Sequence, residues 1–166
     1  MIALAAASML WTPRSVRRAN HFSFHPILEV AAVFAGIFMT MMPALDSLRF
    51  RGAELGVSEP WEYFWSAGAL SSFLDNAPTY LTFLARGQGL RLPPDLVGVP
   101  ASILTAISVG SVAMGANTYI GNAPNFMVKA IAEEAGVKMP TFFGYMAYSL
   151  GVLVPIFIVV TLVFFR

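Results

Sequence analysis

Leu74-Asp75-Asn76-Ala77-Pro78-Thr79-Tyr80 sets a carboxylate, an amide, a hydroxyl and a helix-breaking proline inside an otherwise apolar segment. A near copy, Ile120-Gly121-Asn122-Ala123-Pro124-Asn125-Phe126, follows 46 residues later. In both, Asn-Ala-Pro stands between an aliphatic residue and an aromatic one. Hydrocarbon offers no partner to a freed backbone group, so polar helix breaks at membrane depth are costly. Two of them read as the halves of one solute- or ion-binding centre.

The composition supplies the membrane. Hydrophobic residues make up 57% of the 166-residue chain and charged residues 11%, against about 25% charged in typical soluble chains. Mean hydropathy is +0.70, and the apolar residues fall in long runs. The reading is an all-α polytopic helix bundle in the lipid bilayer. A formal net charge of +1 with no basic, aromatic-interleaved patch gives no sign of nucleic acid. The absence of cysteine excludes disulfides and thiolate-held metals. His21 and His25 stand four apart with no third ligand nearby, and read as interfacial loop residues rather than a metal site.

Residues 1–11 are apolar but too short to span, and the arginines at 14, 17 and 18 follow rather than precede them, the reverse of a signal peptide. They read as the tail of a truncated helix, and the chain as a fragment or split half of something larger. Residues 12–26 read as a polar loop on the cytoplasmic side, and residues 27–45 as a transmembrane span. Glu29 in its first turn suits the helix dipole at the interface.

Residues 61–86 allow two readings. One helix of 26 residues would be ~39 Å long and would cross with a kink at Pro78. Two helices broken near 74–78 would each be too short to cross, giving a re-entrant hairpin. Lysine and arginine counting does not settle the choice, splitting five to five for a hairpin and six to four for a through span. Residues 96–114 are rich in small residues, which lets helices approach closely in lipid. They end in a run of glycines, asparagines and a proline, so 96–135 reads as one broken span. Residues 141–165 form the last span.

At each break the proline can occupy the first turn of a new helix, where its missing N–H costs nothing, and the asparagine or Asp75 can cap it. A helix N-terminus at that depth attracts anions. The chain entering each break would end in free carbonyls. With Asn76, Thr79, Asn117, Thr118 and Asn122 these could ligate a small cation, Asn76 and Asn117 being the candidate sodium ligands. Asp75, the one carboxylate well inside an apolar segment, could neutralise that cation or carry a proton; a plain N-cap is its other reading.

Three stretches resemble the C-terminal half of the ion transporter superfamily, the citrate-transporter-like fold: 29–38, Leu70-Ser71-Ser72-Phe73-Leu74-Asp75-Asn76-Ala77-Pro78-Thr79, and Gly115-Ala116-Asn117-Thr118-Tyr119-Ile120-Gly121-Asn122-Ala123-Pro124-Asn125. The resemblance covers about residues 27–166. It implies one repeat of an inverted-repeat transporter, with 61–86 as a re-entrant hairpin and 96–135 as the broken helix. Asp75, Asn76, Thr79, Asn117, Thr118, Gly121 and Asn122 would then contribute to the substrate and ion sites. The dicarboxylate branch carries Ser-Asn-Thr where this chain has Ala116-Asn117-Thr118 and Asp75-Asn76-Ala77, so its acidic hairpin tip looks closer to the sodium/proton antiporters. The resemblance also implies a multi-pass protein of the bacterial inner membrane, a missing N-terminal half as partner, and no cofactor beyond the coupling sodium or proton. A homodimer is kept open.

The leading expectation is a secondary active transporter, with an organic-anion symporter (citrate or dicarboxylate) as the alternative. A competing class is an accessory membrane fragment whose breaks only pack. An enzyme is not expected, because only one carboxylate lies at depth and no nucleophile–base pair is present.

Overall fold

The computed structural model describes residues 2–19, 25–51, 54, 56–90, 92–93 and 96–166. His21 lies outside them, as do the side chains of His25 and Glu29. Every regular element among the described residues is helical, apart from an isolated bridge between Leu96 and Val99. The chain divides into two compact units, residues 1–39 and 40–166.

The first unit holds α1 (Ile2–Trp11), α2 (Arg14–Ala19) and the start of α3 (His25–Arg51). The arginines expected in a loop instead form the short helix α2. Arg17 reaches back from it to donate to the carbonyls of Ser8 (2.9 Å) and Met9 (2.6 Å). A cation is favourable at that C-terminal end, where carbonyls lack intrahelical partners. Helix α3 runs six residues beyond the span expected at 27–45. Its extra turns are polar, steadied by Asp46–Arg49 (3.5 Å) and by Ser47 Oγ donating to the Pro43 carbonyl (3.0 Å).

In the second unit α4 (Pro60–Ser71) and α5 (Asn76–Gly89) both pack on α6 (Ala101–Ala113). Glu62 closes the start of α4, accepting the N–H groups of Ser58 (2.7 Å) and Glu59 (3.0 Å). The chain doubles back between α4 and α5: the Tyr63 and Phe83 rings meet edge to face at 6.3 Å, and Arg86 donates to the Val57 carbonyl. One continuous kinked helix would separate those residues along its length, so the through-helix reading of 61–86 fails. Leu96–Val99 then forms a tight turn with Val97 and Gly98 at positive φ (52° and 81°), and α6 starts at residue 101 rather than 96.

A 3-10 turn (Met114–Asn117) continues α6, residues 118–122 are unwound, and α7 (Ala123–Glu134) and α8 (Phe142–Phe164) follow. The core is Tyr63, Phe64, Ile103, Ala106, Ile107, Met114, Phe157 and Phe165. Phe64 sits between Phe157 (6.1 Å) and Phe165 (5.0 Å), and Trp65 Nε1 donates to Thr161 Oγ1 (3.0 Å), which seats α8 against α4. The small residues of α6 explain its closeness to α4: a Cβ on Gly110 would collide with the Phe64 carbonyl oxygen. Among the described residues α8 alone, 23 residues of mean hydropathy 2.4, is long and apolar enough to cross a membrane. It leaves Phe143, Val152, Val159 and Phe164 between 59% and 78% exposed, a surface suited to lipid rather than water.

Candidate functional site

The break between α4 and α5 and the unwound stretch between α6 and α7 meet. Thr118 Oγ1 donates to the Ser72 carbonyl (2.5 Å), Asn117 Nδ2 to Ser72 Oγ (2.9 Å), and Ser71 Oγ to the Ser111 carbonyl (2.5 Å). Because the single Ser71 proton goes to Ser111, Ser71 Oγ can only accept from Asn76. The Asn76 amide nitrogen accordingly faces Ser71 Oγ (2.9 Å), the Ser111 carbonyl (2.9 Å) and the Gly121 carbonyl (3.3 Å). Glycine is required where the two breaks touch. A Cβ on Gly121 would collide with the Gly115 carbonyl oxygen, and one on Gly115 would lie 2.5 Å from the Asn76 amide.

Each Asn-Ala-Pro opens a helix, but in different registers. Asp75 is the N-cap of α5, accepting from the Ala77 N–H at 3.4 Å, and Pro78 is the third helical residue. Asn122 is the N-cap of α7, accepting from the Asn125 N–H at 3.0 Å, and Pro124 is the second. One helix start therefore carries a carboxylate and the other a neutral amide. The positive end of α5 is compensated by its own cap, whereas that of α7 is not.

The free carbonyls expected before the second break are not free. Asn125 Nδ2 bridges the carbonyls of Gly115 and Thr118 (3.0 Å each). From α8, Tyr145 Oη donates to Ala116 (2.9 Å) and Ser149 Oγ to Asn117 (2.6 Å). Four consecutive carbonyls, 115–118, thus accept from side chains. Unwound backbone left in a dry interior must find such donors, and neighbouring helices supply them here. Asn125, Tyr145, Ser149 and the pair Ser71/Ser72 went unrecognised in the sequence. Only the extension of the second motif to Asn-Ala-Pro-Asn pointed towards one of them.

What remains available is a small set of side-chain oxygens. Asn117 Oδ1, Ser111 Oγ and Thr79 Oγ1 are buried without a hydrogen-bond partner. Asn117, with Ser72 and Thr118, lines a cavity of about 230 Å³ walled by Trp65, Phe73, Met114 and Phe157. Of the candidate residues, Asn76, Asn117, Thr118 and Gly121 share the contact between the breaks. Asp75 and Asn122 stand half-buried at the helix starts, and the Thr79 hydroxyl joins none of these bonds. As sodium ligands the two asparagines differ: Asn76 presents its N–H groups to the unwound chain, while Asn117 keeps a buried carbonyl oxygen open. No cluster of three or more histidines, aspartates or glutamates exists among the described residues.

No curated protein and no solved structure matches the chain. The family described as "Putative citrate transport" matches residues 1–165, and the chain belongs to that membrane-transporter family.

Proposed function

We propose that this chain forms a substrate- and ion-binding repeat of a secondary active transporter that moves a small organic anion such as citrate, coupled to sodium or protons. The observation that carries the reading is the contact between two helix breaks, with an uncompensated helix start at Asn122 and an acidic one at Asp75. The first attracts a carboxylate and the second a cation. Helices α4 and α5, 12 and 14 residues long, reach only ~18 and ~21 Å and fall short of the ~30 Å hydrocarbon core. We therefore read them as a re-entrant hairpin whose tip reaches membrane depth, with the broken helix α6–α7 and α8 as spans beside it. Paired discontinuous helices of this kind are a recurring design of secondary transporters. In this reading the other clamp comes from a counterpart half.

Sodium/proton antiport is the second reading, favoured by the carboxylate of Asp75 at the hairpin tip. Proteoliposomes of the full assembly separate the two. Citrate uptake driven by an inward sodium or proton gradient supports the first. Sodium-driven proton movement without any citrate uptake replaces it with the second, and no gradient-driven flux of either kind leaves only a packing role for the breaks.

A further inference from the structure

Main-chain carbonyls can ligate a small cation because their dipoles replace its hydration shell. In the second break those carbonyls are closed, and two of the closing groups come from a different helix. Tyr145 Oη donates to the Ala116 carbonyl at 2.9 Å and Ser149 Oγ to the Asn117 carbonyl at 2.6 Å. The two residues stand four apart in α8, so they share one face of it. Tyr145 is fixed from its other side. Its ring stacks on Tyr119 at 4.2 Å, and the Tyr119 hydroxyl donates to the Pro140 carbonyl at 3.2 Å.

The other oxygens of residues 115–118 are committed too. Asn125 takes the carbonyls of Gly115 and Thr118, and the Thr118 hydroxyl is bonded to Ser72, Ile120 and Gly121. Only Asn117 Oδ1 has no partner, on a side chain whose residue is 5% exposed. One amide oxygen does not replace a hydration shell. With the Ala116 and Asn117 carbonyls open as well, the same short stretch would offer three oxygens. A buried carbonyl needs a partner in any case, and here a hydroxyl proton and a cation are alternatives for the same two oxygens.

We propose that Tyr145 and Ser149 are specificity-determining residues whose hydroxyls close the Ala116 and Asn117 carbonyls to sodium. This deepens the transport reading and rests on it for the part the second break plays in ion coupling. Each residue acts through the carbonyl it holds, not by touching substrate or ion. Removing both hydroxyls strands two buried carbonyls, which destabilises the chain. A sodium ion in the space of the two lost oxygens gives both carbonyls a partner again. The variant's stability then depends on sodium, whereas hydroxyls that serve folding alone predict the same loss in any salt.

The test is thermal unfolding of the full chain in detergent, comparing sodium chloride with N-methylglucamine chloride at matched ionic strength. A ligand present at about ten times its Kd raises the midpoint of a chain this size by ~3 °C or more. That rise is expected in the double variant Tyr145→Phe/Ser149→Ala, in which the ring on Tyr119 is kept. It is expected to be absent in the wild type and in Ser149→Thr, which keeps a hydroxyl. Equal sodium responses in the wild type and the double variant, large or nil, overturn the proposal. Should the double variant not fold, Ser149→Ala opens the Asn117 carbonyl alone and is judged by the same comparison. In proteoliposomes of the full assembly, the half-saturating sodium concentration for citrate uptake should fall in the variant, and an unchanged value counts against the proposal. No uptake by the wild type overturns the transport reading instead, and the unfolding comparison still decides whether the carbonyls are closed to sodium.

Discussion

Thr118 Oγ1 donates to the main-chain carbonyl of Ser72, 46 positions earlier, and accepts the N–H groups of Ile120 (3.2 Å) and Gly121 (3.0 Å). One buried hydroxyl thus satisfies backbone groups in both helix breaks at once. Neither break can open alone without stranding a polar group of the other.

Thr118→Val keeps the shape of the side chain and removes this hydroxyl. Three backbone groups then lose their partner, at roughly 1–3 kcal/mol each. A fall of about 3 kcal/mol or more is expected, lowering the unfolding midpoint by ~10 °C. Thr118→Ser should stay close to the wild type. A Thr118→Val midpoint equal to that of the wild type would show that the breaks are held together by apolar packing alone.

Asn125 sets two effects against each other. It is the third residue of α7, where an aspartate would gain about 0.3–1 kcal/mol from the helix dipole. Its amide nitrogen, however, bridges the Gly115 and Thr118 carbonyls. A carboxylate has no proton to give them, so two bonds worth about 1 kcal/mol each are lost and repulsion is added. The bridge outweighs the dipole. Asn125→Asp should therefore unfold below the wild type despite its gain from the dipole, and a midpoint at or above that of the wild type would mean that the bridge contributes little.

The bridge also marks where sequence reading stopped. Asp75, Asn122 and their prolines announce helix starts, because capping and proline geometry are local and need only a few consecutive residues. The small residues around Gly110 announce close packing for the same reason. What Tyr145 and Ser149 do is decided by α8 passing beside carbonyls about thirty positions away, and no local pattern encodes that. Nor could the sequence separate a kinked span from a hairpin, since both have the same hydropathy. The contacts of Arg86 with Val57 and of Phe83 with Tyr63 show that the chain doubles back there, which rules out one continuous helix. The helical run Arg14–Ala19 was hidden by its charge, which resembles that of a loop until Arg17 is seen capping α1.

Glycine substitutions should rank by what the new methyl meets. At Gly110 it meets the rigid Phe64 backbone, and at Gly68 the flexible end of the Met114 side chain. At Gly151, inside α8, nothing lies within 4 Å. Overpacking against backbone costs about 1–3 kcal/mol, while glycine to alanine in an open helix position gains roughly 0.5–1 kcal/mol. Chemical or thermal unfolding should place Gly110→Ala lowest, Gly68→Ala between, and Gly151→Ala at or above the wild type. A tolerated Gly110→Ala would mean that α4 and α6 are free to separate.

The two N-caps allow function to be separated from folding. Asp and Asn are comparable N-caps, so Asp75→Asn and Asn122→Asp should each leave the unfolding midpoint within a few degrees of the wild type. Their charges move in opposite senses. Asp75→Asn removes the carboxylate from the start of α5, and transport should lose at least tenfold of its dependence on sodium or pH. Asn122→Asp places a carboxylate at the start of α7, where a substrate anion is expected, and should raise the half-saturating citrate concentration by tenfold or more through like-charge repulsion. If both variants carry citrate with wild-type affinity and coupling, the helix starts are structural and the binding centre lies elsewhere. If only Asn122→Asp is silent, the anion does not use the α7 terminus, and the Asp75 half of the reading stands alone.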